Sequence, residues 1–379
     1  MVCTALLAGW QGLTVHYHFG GNWTALFYTG QNFKGVPPAL QPEGIYVFKD
    51  SLGYDGQFYH YLAHDPLLRR NYTTFMDDPR YRSGRILVPG LAFLLAGGRD
   101  ERIDAAYIAV VWMFVALGAY WLGRLAVLYA YPAWFGPGFA LVPAVLVSID
   151  RLTVDVALAA CAVGFVLYVE ENSPLALYAV LMAAGLVRET GVLLPAAYCI
   201  WLAGGKRFRE AAVFATSVIP TFAWWLYVDL HTSPGWYSGG FLSLAPFAGL
   251  VRRMFHAYAY PDTLSRAVRE LAIGLDLVAL AGIAAVLVWT ARRSLQRAWT
   301  PVTIAMYLFA LLVLVLNRSD VWSEVFAFGR TLTPLLLLAT LDGMKLRSPL
   351  PALAMLALDP RIIMQMGGQI VDVARGIFS

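Results

Sequence analysis

Residues 103–128 read IDAAYIAVVWMFVALGAYWLGRLAVL, an apolar run broken only by Asp104 near its start and Arg124 near its end. A helix crossing a bilayer needs about 20 apolar residues, and this run is longer. It predicts a membrane-spanning helix. Further apolar runs follow at 132–149, 152–169, 175–187, 190–203, 210–229, 268–291, 302–317, 330–343 and 350–358. Several are too short to cross upright without help from flanking residues. Composition agrees: 59% hydrophobic residues, 14% charged residues and a mean hydropathy of +0.61 exclude a soluble globular domain. The expected fold is all-α, a polytopic transmembrane helix bundle of about 10–12 spans. It forms one membrane domain over 1–379, with the bundle at 103–358 and a tail at 359–379.

Residues 1–15 offer only about 22 Å of helix at 1.5 Å per residue. They have neither the charged n-region nor the small-residue cleavage site of a signal peptide, so they are expected to form a short, truncated first span. From 16 to 100 the chain is polar, aromatic and rich in Gly and Pro. This predicts a long first loop outside the bilayer core. Within it, 56–68 predicts a short helix lying at the interface with Tyr and Phe at headgroup depth. The segment 82–97, with Pro89-Gly90 in its middle, reads as either a short span or an interfacial helix.

The basic clusters Lys206-Arg207-Arg209, Arg292-Arg293-Arg297 and Lys345-Arg347 agree in parity and mark the cytoplasmic side. With 82–97 at the interface, the N-terminus is cytoplasmic and the first loop faces outward. Twenty-four Arg against four Lys, with abundant Ala, suggest a GC-rich bacterium. The expected location is therefore a bacterial cytoplasmic membrane.

The net charge of +4 comes from bases scattered along the chain, which argues against a nucleic-acid partner. Cys3, Cys161 and Cys199 have no paired spacing and no neighbouring His, so neither a disulfide framework nor a zinc site is indicated. Under the expected topology the ionisable residues gather on the outer face: Asp55, His60, Asp65, Arg82, Arg85, Asp150, Asp155, Arg188, Glu189, the loop 230–262, and 318–330. Such groups cost about 2.5–3.5 kcal/mol each at membrane depth and are functional candidates by default.

Asp55 stands in Gly53-Tyr54-Asp55-Gly56-Gln57-Phe58-Tyr59, where glycines let the backbone bend and aromatics offer flat walls. The plain alternative is a common Asp-Gly turn. Arg188 either presents its guanidinium to a phosphate or is neutralised by Glu189 in a tight turn. Arg82 and Arg85, three apart, share a face if helical; their plain alternative is contact with lipid headgroups. Arg330 opens a span, where it either works in a site or snorkels to the interface. Asp150 is expected to cap a helix N-terminus. His60 and His64 stand four apart with Asp65 adjacent. Without further ligands at convincing spacing, no metal is assigned.

Together these features resemble the GT-C superfamily, integral membrane glycosyltransferases that use polyprenyl-phosphate sugars. The segment Tyr54-Asp55-Gly56-Gln57-Phe58-Tyr59, followed by Tyr81-Arg82-Ser83-Gly84-Arg85-Ile86-Leu87-Val88-Pro89, is similar to bacterial proteins linked to cell-surface glycopolymers. The family commonly carries a paired acidic motif in this loop. Here Asp55 has no adjacent acid, and Asp50 and Asp65 are the nearest.

The resemblance implies an inverting transferase that moves a sugar from a polyprenyl-phosphate donor to a glycan or lipid-linked acceptor, without a cofactor. Asp55 would be its general base, and Arg188 with Arg330, Arg82 or Arg85 would anchor the phosphate. Tyr54, Gln57, Tyr59, His60 and Glu189 would complete the substrate site. The lipid tail would lie between helices. Two rivals stay open. A flippase or transporter should show binding groups near the midplane and an internal repeat, and a polymerase of lipid-linked glycans would rely on arginine-rich outer loops.

Overall fold

The computed structural model describes residues 2–233, 245–261, 264–318 and 320–378. Parts of the expected outer loops, at 234–244, 262–263 and 319, lie outside the described residues. The described residues are all-α apart from one pair of two-residue parallel strands in the first loop, Thr29–Gly30 with Val47–Phe48. Helix α1 (Val2–Tyr17) leads into that loop, which carries α2 (Asp55–His64), α3 (Pro79–Ser83) and α4 (Leu87–Ala96). The bundle begins with α5 (Asp100–Leu128), α6 (Pro143–Arg151), α7 (Asp155–Glu170), α8 (Pro174–Val187) and α9 (Leu193–Gly204). It continues with α10 (Phe208–Ala215), α11 (Ile219–His231), α12 (Ala248–Phe255), α13 (Arg266–Leu295), α14 (Pro301–Val315), α15 (Val325–Lys345) and α16 (Leu350–Leu356). The expected tail is helical too, as α17 (Asp359–Gln365) and α18 (Gly367–Phe378).

Among the described residues, four stretches are long and apolar enough to cross a membrane: α5, the rod Phe208–His231 that contains α10 and α11, α13, and α15. The 3₁₀ run Ala133–Leu141 and α6, bent by 58°, make a fifth if counted as one span. Pro143 sits at that bend as the first residue of α6, where its missing N–H costs nothing. Other apolar runs make shorter helices, from 7 residues in α16 to 16 in α7. At 1.5 Å per residue these reach roughly 10–24 Å, short of a hydrocarbon core about 30 Å thick.

Burial sorts the long helices. The apolar window of α15 is 94% buried, against 39% for α13 and 22% for Phe208–His231. Helix α15 is therefore the central post, packed on α6, α7, α13, α14 and α16. The other two turn apolar surface outward. Lys345 at the C-terminal end of α15 pairs with Glu170 at the end of α7, and Arg293 near the end of α13 pairs with Asp342 of α15. Gly204 lies against Trp299, just before α14. The three basic clusters thus share one end of the bundle, opposite the N-terminal end of α15.

Helix α2 corrects an expectation. It spans Asp55–His64, one residue earlier at its start and four shorter at its end than the expected 56–68, and every residue from Gly56 to His64 is buried. The first loop folds over it, so its aromatics do not lie at a lipid interface. Phe58, Tyr61 and Leu62 make a small core of their own with Leu40, Tyr72 and Met76. The two glycines of its motif serve the protein's own backbone. Gly53 has a φ of 79°, a left-handed turn that glycine adopts without strain. A Cβ on Gly56 would collide with the carbonyl oxygens of Arg151 and Phe27. Close packing of α2 against the end of α6 therefore requires Gly56.

Candidate functional site

Where the folded loop meets the bundle there is a cavity of about 630 Å³, and Asp55 lines it. Asp55 is the first residue of α2, following the extended Tyr54. Its Oδ2 accepts from Arg330 Nη2 at 2.5 Å and lies 2.7 Å from Arg82 Nη1. Arg330 comes from the first turns of α15 and Arg82 from α3. Burial opposes ionisation of Asp55, but Arg330 and then Arg82 more than offset it and hold the carboxyl well below its ordinary range.

Each arginine has a second acid. Arg330 Nη1 reaches Asp155 Oδ2 at 3.3 Å, and Asp155 Oδ1 accepts from Arg188. Arg82 binds Asp77 through two parallel bonds of 2.8 and 2.5 Å. Arg85 grips Glu189 in the same way at 3.0 and 2.8 Å, and donates to Tyr59 Oη at 2.6 Å. Such forked pairs fix the guanidinium planes. Aromatic faces brace them further: Tyr81 lies 4.1 Å from the Arg85 guanidinium carbon and Tyr54 lies 4.9 Å from that of Arg330. The cluster formed by Arg82, Arg85, Arg188 and Arg330 with Asp55, Asp77, Asp155 and Glu189 is formally neutral. Its distribution is not even, because the four arginines, Asp55 and Asp77 line the cavity, with Lys34, Arg318, Asp320 and Glu324 beside them, while Asp155 and Glu189 are absent from the lining. The surface offered to a ligand is cation-rich.

Of the residues the sequence singles out, Tyr54, Asp55, Gln57, Arg82, Arg85, Arg188 and Arg330 all line this cavity. Gln57 is occupied as a clasp, accepting from Gly30 N–H at 3.2 Å and donating to Leu52 C=O at 3.1 Å. The Tyr54 hydroxyl is buried without a partner. Tyr59 and Glu189 are absent from the lining, and both are held by Arg85. His60 is absent from the lining; it stacks on Phe27 with ring centroids 3.9 Å apart and bonds Asp104. Arg188 is not chiefly neutralised by its neighbour Glu189, which lies 3.4 Å from Nε, since its main partner is Asp155.

Asp150 does not cap a helix. It lies at the C-terminal end of α6, accepts from Gln369 Nε2 at 2.6 Å, and pairs with Arg151. The acid at a helix start is Asp155 of α7. Two central acids, Asp77 and Asp155, are missing from the sequence-based site. Their signals are visible afterwards. Asp77-Asp78 is an adjacent acid pair in the first loop, with Asp77 spent on Arg82 and Asp78 capping α3 through the Tyr81 N–H. Asp155 is a buried carboxylate that opens an apolar helix.

No known protein-family model, characterised protein or solved structure matches the chain.

Proposed function

We propose that the chain is an inverting glycosyltransferase of the GT-C type. It would move a sugar from a polyprenyl-phosphate donor to a glycan or lipid-linked acceptor at the outer face of a bacterial cytoplasmic membrane. The supporting observation is the pairing of one carboxylate, Asp55, with Arg330 and Arg82 in a cation-rich cavity at the end of the bundle opposite the basic clusters. In this reading the shorter helices cross where the bilayer thins and flanking residues snorkel, or pair end to end, completing about 10–12 spans.

Both arginine contacts fall on Asp55 Oδ2, which leaves Oδ1 for the acceptor. The acceptor hydroxyl passes its proton to Asp55 as its oxygen bonds to the anomeric carbon from the face opposite the phosphate. The bond from that carbon to the phosphate oxygen breaks, and its electron pair leaves with the polyprenyl phosphate. Inversion follows. The leaving phosphate already stabilises its own charge, so cations at that point suffice in place of a general acid. A donor phosphate also competes with Asp55 for Arg330 and Arg82. Each bond it takes raises the basicity of Asp55, so donor binding prepares the base.

The test compares surface polysaccharide from a deletion strain complemented with the wild-type chain or with Asp55→Asn. Mass spectrometry should find the same sugar missing from the deletion strain and from the Asp55→Asn strain. An unchanged glycopolymer with Asp55→Asn, at normal protein level, overturns the reading.

A further inference from the structure

The face of α2 turned away from the cavity holds a second cluster. His60 and His64, one turn apart and both fully buried, bring their Nε2 atoms within 3.2 Å of each other. Two carboxylates from distant parts of the chain aim at the same point. Asp104 Oδ1 of α5 lies 2.6 Å from His60 Nε2 and 3.9 Å from His64 Nε2. Glu43 Oε2, at the end of the short 3₁₀ helix Pro38–Glu43, lies 3.6 Å from His64 Nε2. All four donor atoms fall within 4.8 Å of one another.

From this geometry we infer a divalent metal site of the zinc class, with His60, His64, Asp104 and Glu43 as its ligands. Donors about 2.0–2.1 Å from a tetrahedral zinc ion stand roughly 3.3 Å apart, and the separations, from 2.6 Å up to no more than 4.8 Å, bracket that value. Two imidazoles with two carboxylates suit zinc and its first-row neighbours. The outer contact of His64 is that of a ligating histidine, whereas His60 Nδ1 is buried without a partner. His64 Nδ1 lies 3.0 Å from Asp100 Oδ1, and Asp100 is itself held by Arg70 at 2.8 Å. A carboxylate on the far nitrogen fixes the tautomer and aims the near nitrogen inward. Asp65, the acid beside His64, is not a ligand, because both its oxygens accept from the Arg69 and Arg70 backbone.

The ion is structural. His60 lies five positions beyond Asp55, about 140° around the helix at 3.6 residues per turn, and neither histidine lines the cavity. Bound there, the metal would tie the first loop through Glu43, α2 through its histidines and the bundle through Asp104. It would thereby hold Asp55 in place without touching substrate.

The test is metal analysis of the full chain purified in detergent without chelator. Elemental mass spectrometry should find one equivalent of metal per chain, lost in His64→Ala and reduced in Glu43→Gln. Asp55→Asn should keep it, which separates this site from the proposed transferase chemistry. Chelator-stripped wild-type chain given cobalt(II) alone should develop the visible absorption of a tetrahedral site, and zinc should abolish it. The cobalt titration uses only the wild-type chain, so it decides even if the variants fail to fold. A wild-type chain that holds no stoichiometric metal and shows no such absorption overturns the inference and leaves a hydrogen-bonded His–carboxylate cluster.

Discussion

Asp155 Oδ2 lies 3.3 Å from Arg330 Nη1 while Oδ1 of the same carboxylate accepts from Arg188, so one buried acid serves two guanidiniums carried by different parts of the chain. The acid belongs to α7, and Arg330 belongs to the central post α15. This three-way junction joins the cavity wall to the core of the bundle. Its loss should be felt in both.

Removing one member of a buried charge group leaves its partners uncompensated, at a cost of about 3–5 kcal/mol. Asp155→Asn should therefore lower the melting temperature sharply in detergent. Asp320→Asn should barely move it, because the Asp320 side chain is 54% exposed in its pair with Arg318. Equal shifts for the two variants would show that Asp155 is not the junction described.

The pH dependence of Asp55 has a definite sign. Arg330 and Arg82 hold its folded carboxyl below the unfolded value of about 3.9, despite burial. The stability it contributes is present above that value and is lost as pH falls through the lower, folded one. The stability gap between wild type and Asp55→Asn should therefore stay constant from about pH 8 to 5 and close only below about pH 4. Thermal unfolding across that range checks it. A gap already closing near neutrality contradicts the pairing.

Gly56→Ala places a methyl group against the Arg151 and Phe27 carbonyl oxygens. The expected loss is about 1–3 kcal/mol, as for other overpacked sites, together with displacement of Asp55. Gly12→Ala in α1 is the control, since its Cβ meets nothing within 4 Å. That change should be neutral or stabilising by up to about 1 kcal/mol. Melting temperatures of the two variants decide.

Asp359 offers the opposite case to Asp55. It is buried at the start of α17, its Oδ1 has no partner, and burial pushes its carboxyl up to about 8. The folded chain then keeps a proton that the unfolded chain releases above about pH 4, so stability falls as pH rises between those values. Asp359→Asn should stabilise the chain at pH 8 by about 1–3 kcal/mol and have little effect near pH 4. Unfolding measurements at both pH values test it.

The long helices were legible because an apolar run leaves the chain few alternatives: 103–128, 268–291 and 330–343 become α5, α13 and α15. Asp55, Arg82 and Arg330 were legible for the complementary reason, since charge in a greasy chain needs an explanation. Asp155 and Asp77 were not, because each has a ready local account, one opening a helix and the other standing beside a capping residue. The burial of α2 was hidden because its cover comes from Leu40, Tyr72 and Met76, which no periodicity in α2 reveals. Glu43 and Asp104 lie far from His60 in sequence, and only the fold brings them to it. Local pattern reports a helix and its charges. It does not report which charges will meet.

The balance of four arginines against four acids also bears on how quickly a ligand arrives. Beyond roughly a Debye length, about 8 Å at physiological salt, a neutral cluster exerts little pull. Under the proposed function an anionic headgroup would meet the arginine face chiefly on contact. Its encounter would depend on diffusion within the membrane, while retention would be set at the wall, where Lys34, Arg82, Arg85, Arg188, Arg318 and Arg330 face Asp55, Asp77, Asp320 and Glu324.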